Sequence, residues 1–437
     1  MRAMKDSGIE WIGQIPQEWK TIRLRSQFSF GKGLPNTKAD LTESGIAVIS
    51  YGQIHSKANI GTTIKPELIR YVDPKYLTTN ESSVVTNGDF IFADTSEDIS
   101  GCGNCVYIDV DYPLFAGYHT LILRPENKAS TKYYSYLFAT DAWRSQIRAQ
   151  ASGVKLFSIT QKMLRDTLLI EPSKEEKNRI VEYLDDKCAA IDALIAAKEK
   201  TNALLKERRQ SIIYEAVTKG LNPDAPTKDS GIEWIGEIPE HWTVKKIKYL
   251  GTFRNGLTYS PDNVTNEESG TLVLRSSNIQ NGNVVFDDNV YVDMDIPEIL
   301  QVAAGDILIC SRNGSRELIG KNAIIPENVK ASFGAFMMIF RCGDPKYLYY
   351  ILNSNVFSYY LGTFLTSTVN QLTAANFGNM KVVYCDSAEE REEIVAHLDQ
   401  KCEELDAAIS TNEATIQKLK EYRQSIIYEA VTGKIEL

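Results

Sequence analysis

The sequence predicts an α+β protein built as a pseudo-two-fold tandem repeat: two similar β-rich domains and two long antiparallel coiled-coil helices. Two observations carry this. KDSGIEWIGQIP at Lys5–Pro16 returns as KDSGIEWIGEIP at Lys228–Pro239, and RQSIIYEAVT at Arg209–Thr218 returns unchanged at Arg423–Thr432, while the text between these ends diverges. A period this long lies outside the solenoid range and reads as two tandem units. Apolar residues at helical spacing then fill a stretch free of proline and glycine in front of each RQSIIYEAVT segment.

The helices come first because their pattern is the most regular. From Lys174 to Thr218, Leu184, Ile191, Leu205 and Ile212 fall on a seven-residue grid, with Cys188, Ile195 and Ala216 on its companion. The second copy repeats this with Leu398, Leu405, Leu419 and Ile426, and with Cys402, Ile409, Ile416 and Ala430. Heptad spacing of this kind is the mark of a helix seam. Both grids are interrupted at one layer, by Lys198 and by Asn412, and a polar seam residue trades stability for a fixed register. The two helices are expected to pair with each other, each roughly 65 Å long at 1.5 Å per residue, with the globular domains at opposite ends of a rod. An intermolecular coiled coil is the alternative. Tyr214 and Tyr428, inside the repeated ends, join Leu184, Ile191, Ile195, Leu205, Ile212, Leu398, Leu405, Ile409, Leu419 and Ile426 as residues for helix pairing and partner docking.

The variable middles carry short runs rich in Val, Ile, Phe and Tyr, separated by Gly, Asn, Asp and Ser, the pattern of strands and turns. GDFIFADT, NCVYIDV and HTLILRP stand in the first copy; GDILICSR, NAIIP and FMMIFRC stand in the second. Matching them sets Gly88-Asp89 over Gly305-Asp306, Gly117 over Gly334 and Arg124 over Arg341, so one β-rich fold is expected twice. The linker LNPDAPT, with two prolines, separates the units. The domain boundaries read as 1–173, a helix at 174–220, the linker at 221–227, a second domain at 228–386 and a second helix at 387–437.

Composition bounds the function. With 43% hydrophobic and 24% charged residues, the 437-residue chain is ordinary globular material for two domains. It has no apolar run of about 18 residues and no charged start followed by an apolar block, so a soluble, cytoplasmic protein is expected. Seven cysteines fit a reducing compartment. Cys102 and Cys105 form one CxxC without a matching second pair, which favours a loop cysteine pair over zinc. His119, within LFAGYHTLIL, reads as a strand residue. The net charge of −9 is concentrated on Ser387–Thr432, where eleven acids face five bases, leaving −3 elsewhere and room for basic loops.

Catalytic patterns are missing from the sequence. There is no Gly-rich cofactor turn with an aromatic-flanked Pro motif, and Gly320-Lys321-Asn322 lacks the spacing and hydroxyl of a phosphate loop. Nor is there a GxSxG turn or paired metal-binding histidines, with only four histidines in the chain. The expected catalytic, cofactor-binding and metal residues are therefore none.

Polar loops after the β-rich runs suit base reading instead. In the second copy these are RSSN at Arg275–Asn278, SRNGSR at Ser311–Arg316 and STVNQ at Ser367–Gln371, with Arg254 and Tyr259 nearby. Arginine pairs in bidentate fashion with guanine and Asn or Gln with adenine, each good pair discriminating by about 1–3 kcal/mol. Arg312, Asn313, Arg316, Asn370 and Gln371 lead, joined by Arg275, Ser276, Asn278 and Ser315; Gly314 would let the backbone approach a phosphate. The first copy places SYGQIHSK at Ser50–Lys57, DTSEDIS at Asp94–Ser100 and SGVKLFSITQK at Ser152–Lys162 in the equivalent loops. Its middle loop is acidic, so Glu97 or Asp98 would accept from cytosine, with Tyr51, Gln53, Ser96 and Ser158 as further readers and Lys32, Lys57 and Lys155 on phosphates.

These features together resemble the specificity subunit of type I restriction–modification systems, through DSGIEWIGQIPQEW and DSGIEWIGEIPEHW, two variable middles, and long helices ending in RQSIIYEAVTKG and RQSIIYEAVTGK. The resemblance implies that each β-rich domain is a target-recognition domain reading one half of a bipartite, asymmetric DNA target. It also implies that the helices act as a spacer ruler and dock two methyltransferase subunits, with two restriction subunits joining. S-adenosylmethionine, ATP and Mg would belong to those partners and no cofactor to this chain. Half-site centres about one helical turn (10–10.5 bp) apart are expected. Two other classes stay open: a coiled-coil scaffold that binds only proteins, without salt-dependent DNA affinity, and a stand-alone enzyme. A methylating complex without a nuclease is a narrower variant.

Overall fold

The computed structural model describes residues 2–59, 61–153, 155–364 and 370–437. The chain divides into two compact units, Met1–Lys198 with Ala414–Leu437, and Glu199–Glu413. Both long helices, Lys174–Lys219 and Ala388–Val431, pass from one unit to the other, so each unit owns half of each helix.

The first unit holds a four-stranded antiparallel sheet in the order Cys105–Tyr107, Phe90–Ala93, Thr120–Pro125, Phe28–Lys32. A second, five-stranded sheet centres on a parallel pair, Leu114–Ala116 with Ile46–Ile49. The second unit repeats both: Gly251–Asn255, Met337–Cys342, Ile307–Cys310 and Asn322–Ile324 in one sheet, and the parallel pair Thr271–Leu274 with Ala331–Phe333 in the other. The central strands Phe90–Ala93 and Ile307–Cys310 are buried throughout, which is why they read as unbroken apolar runs rather than alternating ones. Two shared devices explain the matched residues. Gly88 and Gly305 have φ of +93° and +85°, a conformation that favours glycine. The next residues, Asp89 and Asp306, are buried carboxylates answered by cations: Asp306 takes two bonds of 2.7 Å from Arg341, and Asp89 lies 3.1 Å from Lys128 and 3.9 Å from Arg124.

The repeated ends are packing devices. In the first unit Ile9, Ile12, Ile15 and Trp19 share one core with Ile426, Ile427, Ala430 and Val431. In the second, Ile232, Ile235, Ile238 and Trp242 pack with Ile213, Ala216 and Val217. Trp19 Nε1 donates to Glu176 and Trp242 Nε1 to Glu390, both at 3.1 Å. Tyr136 donates to Asp185 at 2.6 Å and Tyr350 to Asp399 at 2.7 Å, fastening each β-rich body to the helix that follows it.

Within each unit the helix halves pair antiparallel. In the second unit Asn202 meets Asn412 at 2.9 Å and, one turn pair further along, Arg209 meets Asp406 at 3.1 Å; in the first unit the equivalent ion pair is Arg423 with Asp192 at 3.0 Å. Leu184, Ile191, Ile195, Leu398, Ile409 and Ile426 are buried, and Leu205, Ile212, Tyr214, Leu405, Leu419 and Tyr428 are half-buried. Besides Lys198 on its own grid, the first helix supplies Asn202, on the companion grid, as the partner of Asn412. In antiparallel pairing the facing layers come from opposite grids, which a comparison of copies in parallel alignment does not show.

Candidate nucleic-acid interface

In the second unit the buried strand Ile307–Cys310 runs out into the arginine loop. Arg312 forms a strand bridge with Gln371, and Leu372 N donates to the Ser311 carbonyl at 2.7 Å. Asn370 Nδ2 reaches the Gly314 carbonyl at 3.3 Å, and Asn313 Nδ2 reaches Ser276 Oγ at 3.2 Å. Three loops far apart in sequence thus converge on one surface, carrying Arg275, Ser276, Arg312, Asn313, Asn370 and Gln371. Ser315 and Arg316 are exposed beside them, Arg316 contacting the Gly362 carbonyl at 3.4 Å. Tyr259 lines a cleft with Arg275, Ser276, Arg312 and Asn313. Ser367, Thr368 and Val369 of STVNQ lie outside the described residues.

Asn278 and Arg254 lie deeper in this unit than the loop tips. Asn278 is fully buried: its Oδ1 accepts from Arg275 N at 2.9 Å and its Nδ2 donates to the Val285 carbonyl at 3.0 Å, so it shapes the loop and presents nothing to a base. Arg254 is half-buried and donates to the Ile299 carbonyl at 3.1 Å.

The first unit builds the same surface from different side chains. Thr95 and Ser96 pair with Ser158 and Phe157, bringing DTSEDIS against SGVKLFSITQK. His55 Nε2 meets the Thr95 carbonyl at 2.9 Å, tying in the third loop. A relay behind it fixes the tautomer: Arg144 donates to Asn104 Oδ1 at 2.7 Å, so Asn104 Nδ2 faces His55 Nδ1 at 3.0 Å, leaving the ring proton on Nε2. Tyr51 packs edge-on against Tyr118 and His119 at 5.7 and 5.4 Å. Glu97, Lys32, Lys57, Lys155 and Ser158 are exposed; Val154 is outside the described residues.

Here too some candidates serve the loop itself. Ser96 is buried and donates to the Asp98 carbonyl at 2.7 Å. Asp98 Oδ1 accepts from Ser100 Oγ at 2.6 Å and Gly101 N at 2.7 Å, and these bonds hold its carboxyl below the usual range. Gln53 Oε1 caps Ser50 N at 2.8 Å, leaving only its amide NH2 free of that bond. Short Ser, Asp and Asn side chains close turns on their own backbone as readily as they read bases, so composition alone does not separate the two uses.

His119 is a correction. It sits in the turn between Leu114–Ala116 and Thr120–Pro125 at φ +55°, 58% exposed, with Nδ1 3.2 Å from Asp94 Oδ1. Two glycine-matched turns, Gly117-Tyr118-His119 and Gly334-Ala335-Phe336, were the signal that would have placed it on this surface. Of the CxxC, Cys102 is buried in the loop and Cys105 opens the strand Cys105–Tyr107, where burial pushes its thiol up to about 12. Among the described residues no group of three or more His, Cys, Asp and Glu is placed to hold a metal, and no helix is long and apolar enough to cross a membrane.

A family model for the type I restriction modification DNA specificity domain matches residues 16–206. The chain is 28% identical over 211 residues to the type I restriction enzyme StySPI specificity subunit of Salmonella potsdam, and 28% identical over 216 residues to the EcoKI specificity subunit of Escherichia coli K12. Each alignment covers 46% of this chain and 44% of the relative, so the chain spans under half the length of either. The MjaVIII specificity subunit of Methanocaldococcus jannaschii is 22% identical over 325 residues, 72% of this chain and 73% of that one. A solved structure described as the basis of complex assembly and conformational transition of the type I R-M system superposes with TM-score 0.70 at 18% identity, covering 96% of this chain and 99% of that one, which establishes the shared fold. Residues 16–206 thus match the type I restriction modification DNA specificity domain, and the chain is similar to specificity subunits of type I restriction enzymes.

Proposed function

We propose that this chain is the non-catalytic, sequence-reading component of a type I restriction–modification assembly. Each unit reads one half of a bipartite, asymmetric duplex target. The observation that carries this is the convergence of equivalent loops on equivalent surfaces with unlike chemistry, Arg312, Asn313 and Gln371 in one unit and Thr95, Glu97 and Ser158 in the other. Equal scaffolds with unequal readers are what an asymmetric target requires. Phosphate contacts from residues such as Lys32, Lys57 and Lys155 would position the units, and groove contacts would select bases.

The helices would set the gap between half-sites and offer docking ground for two methyltransferase subunits, with two restriction subunits joining them in the cytoplasm. S-adenosylmethionine, ATP and Mg would be held by those partners. Target adenines would be turned out of the duplex into the methyltransferase pocket.

Selection from a pool of random duplexes tests this, using the chain with its modification subunit and again alone. Two short, unlike motifs at a fixed gap are the expected result. Recovery of no motif with the complete complex would favour a protein-binding scaffold, as would affinity that does not fall with salt.

A further inference from the structure

We propose that the cleft of the second unit receives one nucleobase displaced from the duplex, stacked on Phe336. This rests on the DNA-reading function and names the ligand of one surface within it. The cleft encloses about 750 Å³, inside the range of ligand pockets, and its walls include Tyr259, Pro261, Val264, Arg275, Arg312 and Phe336. Groove reading of a stacked duplex is done by side chains that project to base edges. A concave, mostly apolar cleft among those readers faces the opposite requirement, since only a base that leaves the stack can enter it.

Phe336 is built as a fixed platform. Phe336 is 57% exposed, yet its carbonyl accepts from Ser311 N at 2.9 Å, Ser311 Oγ at 3.0 Å and Arg312 N at 3.1 Å. The Arg312 guanidinium lies over the ring, 5.2 Å from its centroid. An aromatic ring held this way offers a stacking face to any base, and Arg312 adds a cation beside it. On the far wall Arg275 is held by Asp288 at 2.8 Å, which keeps that side in place.

Comparison of the two units shows why the cleft is open. The Ser50–Gln53 cap matches the Arg275–Asn278 cap, which sets Ser276 where the first unit has Tyr51. The matched turns set Ala335 where it has Tyr118. In the first unit these two tyrosines pack edge-on at 5.7 Å; in the second the small pair, Ser276 and Ala335, lines the cleft left among the described residues.

The test is a mismatch scan of the selected target with the complete complex of chain and modification subunit. At each position of the second unit's half-site, the base opposite is changed so that the scanned base stays and loses its partner. A base that must leave the stack binds more tightly when its pairing is already broken, so one position is expected to tighten about tenfold. Ala335→Tyr, which copies the first unit, and Phe336→Ala should each abolish that gain. Gains at adenines destined for methylation should persist in both variants. If no position shows a gain that the variants remove, the cleft proposal is overturned while the DNA-reading function stands. Failure to recover any bipartite target would sink the function itself.

Discussion

At the scale of single residues, the interface separates side chains that present chemistry outward from those that hold the loops. Arg312 and Asn278 illustrate the two. Arg312→Ala should lower discrimination at one base pair of the second half-site by about 1–3 kcal/mol, leaving fold stability nearly unchanged. Titration of matched and single-substituted duplexes reads this out; equal losses on every duplex would assign Arg312 to the backbone instead. Asn278→Ala should act the other way. It strands Arg275 N and the Val285 carbonyl in a buried site, destabilising the unit by about 1–3 kcal/mol in denaturant unfolding. The residue types were legible in the sequence, and their direction was not. Ser96, Asp98 and Asn278 are polar loop residues like Arg312 and Gln371, and the turn geometry decides which are used up locally.

At the scale of elements, the helix seam and the helix starts lend themselves to experiment. Asn202 and Asn412 form a buried polar pair. Asn412→Leu alone should destabilise the second unit by about 1–3 kcal/mol through the unmatched Asn202 amide. Replacing both by Leu should restore or exceed the original stability at the expense of register. A double-mutant cycle on thermal midpoints checks this, and additive losses would contradict it. Glu176 and Glu390 anchor the helix starts. Burial raises both carboxyls, but hydrogen bonds from Arg2 and Trp19 on Glu176, and from Cys385, His241 and Trp242 on Glu390, bring them below the ordinary value. A carboxyl lowered in the fold stabilises it fully above its unfolded pKa and loses that contribution as pH falls through the folded one. Unfolding measured from pH 5 downward should therefore show an acid-dependent loss that Glu176→Gln and Glu390→Gln diminish.

At the scale of the whole molecule, the duplication gives two predictions about targets. Removing one heptad from the first long helix should change the required gap between half-sites or abolish binding, as read from methylation of duplexes with altered gaps; unchanged methylation of the original site would refute the ruler role. Exchanging residues 243–386 for the corresponding part of a relative with another target should alter one half-site and leave the other intact. A change in both would contradict independent reading.

The sequence by itself determined the duplication, the two long helices, the β-rich middles and the family likeness, because heptads, buried apolar runs and repeated motifs are local patterns that each chain segment carries alone. Tertiary structure decided what depends on partners distant in sequence. It set Asn202 opposite Asn412, placed His119 and Phe336 in exposed turns, turned Asn278 and Ser96 inward, and gathered three loops into one surface per unit. It also showed that the repeated ends form packed cores, the isoleucines of each DSGIEWIG segment packing with an RQSIIYEAVT helix end. Such outcomes follow from which surfaces meet. A side chain's use depends on the neighbours that satisfy its polar groups, and those neighbours are fixed only when the sheets and helices pack.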